Sequence, residues 1–144
     1  LLGLAVGGIL GFATSIVSLI SQDAPVHSVA LFTSQQFWGE FLLALFTGFW
    51  ETILFFSFSL TVLREKYPMW SESNQALLAS AIFLVFHLPN ILLRFNSVQA
   101  VIVQMVLLFL FALGQSFLFI GRRNTFALII SHAIWGMVLL VHTG

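Results

Sequence analysis

Against an almost unbroken apolar background a carboxylate and two imidazoles stand out: Glu51, His87 and His132, each inside a different long hydrophobic stretch. An ionisable side chain at such depth costs free energy unless it is paired or hydrated, so each marks a functional position by default. Their types suit water-based chemistry. A carboxylate and an imidazole can each serve as a general acid or base, and an imidazole can also donate a hydrogen bond. The same three could supply ligands to zinc, or an imidazole could ligate a pigment, but no His-Glu-x-x-His helix is present and no cofactor is expected. Gln104 and Gln115, on one face of a further stretch, read as interhelical glue worth roughly 0.6–2 kcal/mol per hydrogen bond.

The composition fixes what must position these groups. Of 144 residues 60% are hydrophobic and 7% charged, and mean hydropathy is +1.07. A soluble domain carries about 25% charged residues because its surface faces water, so a water-soluble globule and a disordered chain are excluded. Five Lys and Arg against five Asp and Glu also exclude a nucleic-acid partner. Without cysteine there is no disulfide framework or thiolate site. An integral membrane protein remains, with the lipid bilayer as its first partner.

A helix needs roughly 20 apolar residues to cross the hydrocarbon core. Five stretches approach or reach this: Leu1–Ile20, Phe41–Leu63, Ala76–Leu93, Val98–Ile120 and Phe126–Val141. The expected fold is therefore all-α, a polytopic transmembrane helical bundle of about five spans forming one domain over 1–144. The runs are continuous rather than alternating, and far longer than a barrel strand of about 10 residues. Leu1–Ile20 is not expected to be a signal peptide, since no basic residue precedes it. Its Gly3, Gly7 and Gly11 form a packing face. Ser21–Gln36 and Arg64–Gln75 are the long connectors; Arg94–Ser97 and Gly121–Thr125 are short, so the helices they join should be antiparallel neighbours.

If the spans alternate, Arg64, Lys66, Arg122 and Arg123 share one side and Arg94 takes the other. The positive-inside rule then places the first four in the cytoplasm, with the N-terminus in and the C-terminus out, across a bacterial-type cytoplasmic or internal membrane. Trp38, Tyr67 and Trp70 fall near span ends, where amphipathic rings favour the headgroup layer. At about 1.5 Å of rise per residue, Glu51 lies roughly 20 Å, His87 about 18 Å and His132 about 13 Å from that cytoplasmic side. Three ionisable groups at comparable depth predict a shared hydrated pocket. Ser80, His87, Asn90 and Arg94 share one face of their helix, which predicts an inward polar stripe. Thr47 and Gly48 lie one turn before Glu51, and Gly136, one turn after His132, predicts a close approach of backbone or substrate. Phe55, Phe56 and Phe58 are expected to face lipid or pack.

The stretch from Glu51 to Phe58 resembles the first motif of the CAAX-protease and bacteriocin-processing family of intramembrane glutamic endopeptidases, usually Glu-Glu, three residues, Arg. Phe83 with His87 resembles the second motif, Phe-x-x-x-His, and His132 to Gly136 the third, His-x-x-x-Asn. The resemblance covers roughly residues 48–140, leaving 1–36 as an additional span and loop. It implies hydrolysis of a peptide bond in a membrane-associated peptide or protein, with Glu51 and His87 activating a water and His132 binding the oxyanion.

Three positions depart from the pattern: Thr52 replaces the second Glu, Phe56 the Arg and Gly136 the Asn. The leading expectation is a divergent intramembrane endopeptidase-like protein. The alternative is a catalytically inactive relative serving as a structural or assembly subunit of a larger membrane protein complex.

Overall fold

A computed structural model of the chain describes residues 37–141 together with Ile9, with side chains given as far as Gly136 except at Glu40. The expected span Leu1–Ile20 (apart from Ile9), its glycine face and the loop Ser21–Gln36 lie outside the described residues. Every described element is helical: α1 (Phe37–Glu51), a π-helical segment (Thr52–Phe58), α2 (Ser59–Lys66), α3 (Glu72–Arg94), α4 (Val98–Arg122) and α5 (Thr125–Val141). Three runs are long and apolar enough to cross a membrane, namely Phe37–Lys66 with 30 residues, Glu72–Arg94 with 23 and Val98–Arg122 with 25. The fourth, α5, is apolar but shorter, at 17 residues. The last four expected spans thus each have a helix at their place.

By contact the chain divides into two compact units, one comprising Leu1–Thr52 with Phe126–Gly144 and the other Ile53–Thr125. In the first, α1 meets α5 through small residues. Ala44, Gly48 and Thr52 recur every fourth position and are buried, while Trp38, Leu42, Leu43, Phe46, Phe49 and Trp50 on the remaining surface are exposed. With lipid tails as apolar as leucine, helices associate by close packing, and small-xxx-small stripes permit it. A Cβ at Gly48 would stand 3.1 Å from the Ala133 nitrogen, so α5 packs directly against the Gly48 backbone.

The second unit is built on the antiparallel pair α3 and α4. Ser71 and Ser97 cap their N-termini, accepting from the amides of Asn74 at 3.2 Å and Ala100 at 3.1 Å. These caps explain why the apolar runs start where they do. Phe56, Leu60, Ala76, Ala79, Phe83, Phe111 and Ala112 fill the core. The Ser80 hydroxyl lies 3.4 Å from that of Ser116 and donates to the Ala76 carbonyl, while Gln115, beside Ser116, is fully buried. At the α2–α3 corner Tyr67 stacks on Trp70 at 4.7 Å, and the Gln75 amide donates to both their carbonyls.

The π-helical segment has a local cause. The Ser59 hydroxyl donates to the Leu54 carbonyl five residues back at 2.8 Å, and Thr61 donates to the Ser57 carbonyl at 2.6 Å. Hydroxyls so placed compete with the backbone for carbonyls and loosen the regular ladder. Such widened turns concentrate at functional sites, and this one starts at the residue after Glu51.

Candidate active site

Glu51 closes α1 and Thr52 opens the π-helical segment, so two consecutive residues reach α5 from the end of a regular helix. Its partner there is His132. The imidazole Nε2 stands 3.1 Å from Glu51 Oε2, and Nδ1 stands 3.3 Å from the Thr52 hydroxyl. His132 is 5% exposed through its side chain, against 24% for Glu51, so the ring is enclosed while the Glu51 side chain stays partly exposed. The close approach at Gly48, three residues before Glu51, onto Ala133, next to His132, brings the pair into reach. Trp135 lies edge-on to His132 with centroids 6.2 Å apart.

His87 belongs to the other unit. Its Nδ1 lies 2.8 Å from the Phe83 carbonyl, one turn back on its own helix. A carbonyl only accepts, so in the neutral ring Nδ1 carries the proton and Nε2 the lone pair. Phe83 packs on the imidazole with centroids 4.1 Å apart, and Phe55 lies at 6.0 Å. The Phe-x-x-x-His spacing therefore has a physical content: one residue supplies both the carbonyl that sets the tautomer and the ring that fixes the plane.

The departures from the motifs have structural counterparts. Phe56, where the motif usually has Arg, is fully buried and packs on Phe83 with centroids 5.2 Å apart. Phe55 is buried too, in a T-shaped contact with Phe83 at 5.3 Å; of the three aromatic residues only Phe58 is exposed. At Gly136 a Cβ would meet the Ala44 Cβ at 3.8 Å, an ordinary contact, so the close backbone approach occurs at Gly48 rather than at Gly136. The expected inward stripe on α3 does not hold along its length: Ser80 is buried and His87 half-buried, but Asn90 and Arg94 are exposed. Gln104 is half-buried and Gln115 fully buried, as suits packing groups. Among the described residues no three His, Asp or Glu side chains gather as a metal site would require. Thr52, read in the sequence only as a missing Glu, is the side chain that meets His132 Nδ1, a contact that reading overlooked.

The model of one protein family, type II CAAX prenyl endopeptidase Rce1-like, matches residues 33–138. The chain belongs to this family. The matched segment takes in all of α1 to α4, most of α5, and each of Glu51, His87 and His132. No curated protein and no solved structure matches the chain. With three apolar helices of spanning length and this membership, the Rce1-like chain is an integral membrane protein in contact with lipid.

Proposed function

We propose that this Rce1-like chain is an intramembrane endopeptidase that hydrolyses a peptide bond near the C-terminus of a prenylated, membrane-associated substrate, the class named by its family. The observation that carries the reading is the Glu51–His132 contact at 3.1 Å, with His132 enclosed and the Glu51 side chain partly exposed. Glu51 takes a proton from a water as its oxygen attacks the scissile carbonyl carbon. Charge then develops on the carbonyl oxygen, and a donor aimed there stabilises it; losing one such donor costs about 3 kcal/mol in other hydrolases. His132 serves as that donor once Glu51, now protonated, no longer draws its N–H. Glu51 passes its proton to the departing amine as the carbon–nitrogen bond breaks. His87 enters through its motif and the family match, as the residue expected to activate the water with Glu51. Arg64, Lys66, Arg122 and Arg123 are assigned to the cytoplasmic side.

The test is cleavage of a farnesylated CAAX peptide by the purified full chain in liposomes. Wild type should process it, and Glu51→Gln and His87→Ala should not. Equal processing by all three would remove the catalytic assignment.

A second reading has its own support. Phe56 seals with apolar packing a position that the usual motif gives to Arg, and Gly136 offers no side chain for an oxyanion. Both suit a relative that has become a structural or assembly subunit of a larger membrane complex. Copurification with a stoichiometric complex whose function survives Glu51→Gln would select it.

A further inference from the structure

The geometry points to Thr52 as the positioning residue that fixes the tautomer of His132, with the ring proton on Nε2, facing Glu51. Thr52 is fully buried, and a buried hydroxyl takes a hydrogen-bond partner. Its partner is His132 Nδ1 at 3.3 Å, across the two helices. On the opposite edge of the ring, Nε2 lies 3.1 Å from the Glu51 carboxylate. A neutral imidazole offers one donor and one acceptor, and an ionised carboxylate offers only acceptors. With Glu51 ionised and the ring neutral, the proton sits on Nε2, and Nδ1 must receive one from its neighbour. A hydroxyl can give it.

The usual residue here, a second Glu, could not donate when ionised. It would draw a proton to Nδ1, leaving the ring either without a proton toward Glu51 or positively charged between two carboxylates. Replacement of that Glu by Thr is thus a change in where His132 keeps its proton, rather than only a lost acid. Under the proposed reaction this matters twice: the Nε2 proton holds the carboxylate in place at rest, and the same proton is the one available to the oxyanion. Only this kinetic consequence rests on the proteolytic reading; the tautomer is a property of the folded chain.

The experiment is nitrogen NMR on histidine-labelled full chain in lipid nanodiscs, with the His132 signals assigned by their loss in His132→Gln. Wild type should show a protonated Nε2 and an unprotonated Nδ1. Thr52→Val should mix the two tautomers, Thr52→Ser should restore the wild-type pattern, and Thr52→Glu should move the proton to Nδ1 or charge the ring. On the farnesylated peptide Thr52→Val should lower kcat about fivefold at unchanged KM, the worth of one neutral hydrogen bond. A wild-type ring protonated on Nδ1 or on both nitrogens overturns the assignment, as does a Thr52→Val spectrum identical to wild type. Should Thr52→Val not fold, the wild-type, Thr52→Ser and Thr52→Glu spectra decide alone. If the spectra are as expected but wild type cleaves nothing, the tautomer assignment stands and the proteolytic reading falls.

Discussion

His132 and His87 are held in contrasting ways, one in each compact unit. His132 on α5 has both ring nitrogens engaged by side chains that arrive from a helix some 80 positions earlier in the chain, as the Thr52 contact shows. His87 meets the carbonyl and the ring of Phe83 one turn back on its own helix, and the Phe55 ring at 6.0 Å. The first orientation depends on long-range packing through a glycine; the second is written into a four-residue interval. Damage to the α1–α5 contact should therefore disorganise His132, whereas the Phe83 carbonyl stays in place beside the His87 ring.

The sharpest break of the comparison is chemical. Glu51→Gln keeps the shape and a hydrogen bond to His132 but removes the proton acceptor. Cleavage of the farnesylated peptide should fall about a thousandfold, equivalent to about 4 kcal/mol in the barrier, with no change in thermal unfolding in detergent. An unchanged rate would leave both imidazoles as packing groups.

Next in size is Gly48→Leu. The Ala133 backbone stands 3.1 Å from where even a Cβ would lie, so a leucine must push α1 off α5. Overpacking typically costs 1–3 kcal/mol, and about 3 kcal/mol is expected here because the obstructing atoms are backbone. The measurement that uses the comparison is the nitrogen spectrum: the His132 signals should move and those of His87 should stay. Movement of both would show that the two rings are not independently held.

Phe83→Ala attacks the other side. Phe83 is fully buried against Phe55, Phe56 and Phe111, with centroids at 5.3, 5.2 and 6.2 Å. In a soluble core such a truncation costs 3–5 kcal/mol. Within lipid the ring's alternative surroundings are also apolar, so mainly packing contacts are lost. About 2 kcal/mol of unfolding free energy is expected, with the His87 signals broadened and those of His132 preserved.

What could be read in advance divides along the same line. The limits of α3 and α4 were nearly legible from their continuous apolar runs: Ala76–Leu93 was expected against Glu72–Arg94, and Val98–Ile120 against Val98–Arg122. The Phe83–His87 contact was implicit in Phe-x-x-x-His, since residues four apart stack on one helix face. The Thr52–His132 contact was not legible. Comparing residue types with a motif registers Thr52 as an absence, and only the backbone approach at Gly48 reveals that a hydroxyl meets the ring. The π-helical segment was equally hidden, because it follows from where the Ser59 and Thr61 hydroxyls turn rather than from any hydrophobic period. Polar residues sharing one face, from Ser80 to Arg94, did not share one fate: a long span meets a neighbour over part of its length and is exposed over the rest.

The smallest expected effect isolates the geometry of the α1–α5 seam. Gly48 and Gly136 lie on opposite helices of one unit, yet the space beside them differs. A Cβ at Gly136 would sit 3.8 Å from the Ala44 Cβ, ordinary van der Waals contact, whereas at Gly48 it would press on backbone. Gly136→Ala should therefore gain from helix propensity and from one added methyl contact, without displacing α1. An alanine is favoured over glycine inside a helix by about 1 kcal/mol, so stability in detergent should rise by about 0.5–1 kcal/mol. His132 lies one turn before Gly136, so its nitrogen signals serve as the control and should not shift. A destabilised Gly136→Ala would mean that the seam is tighter at α5 than its backbone indicates, and the contrast between the two glycines would then fail.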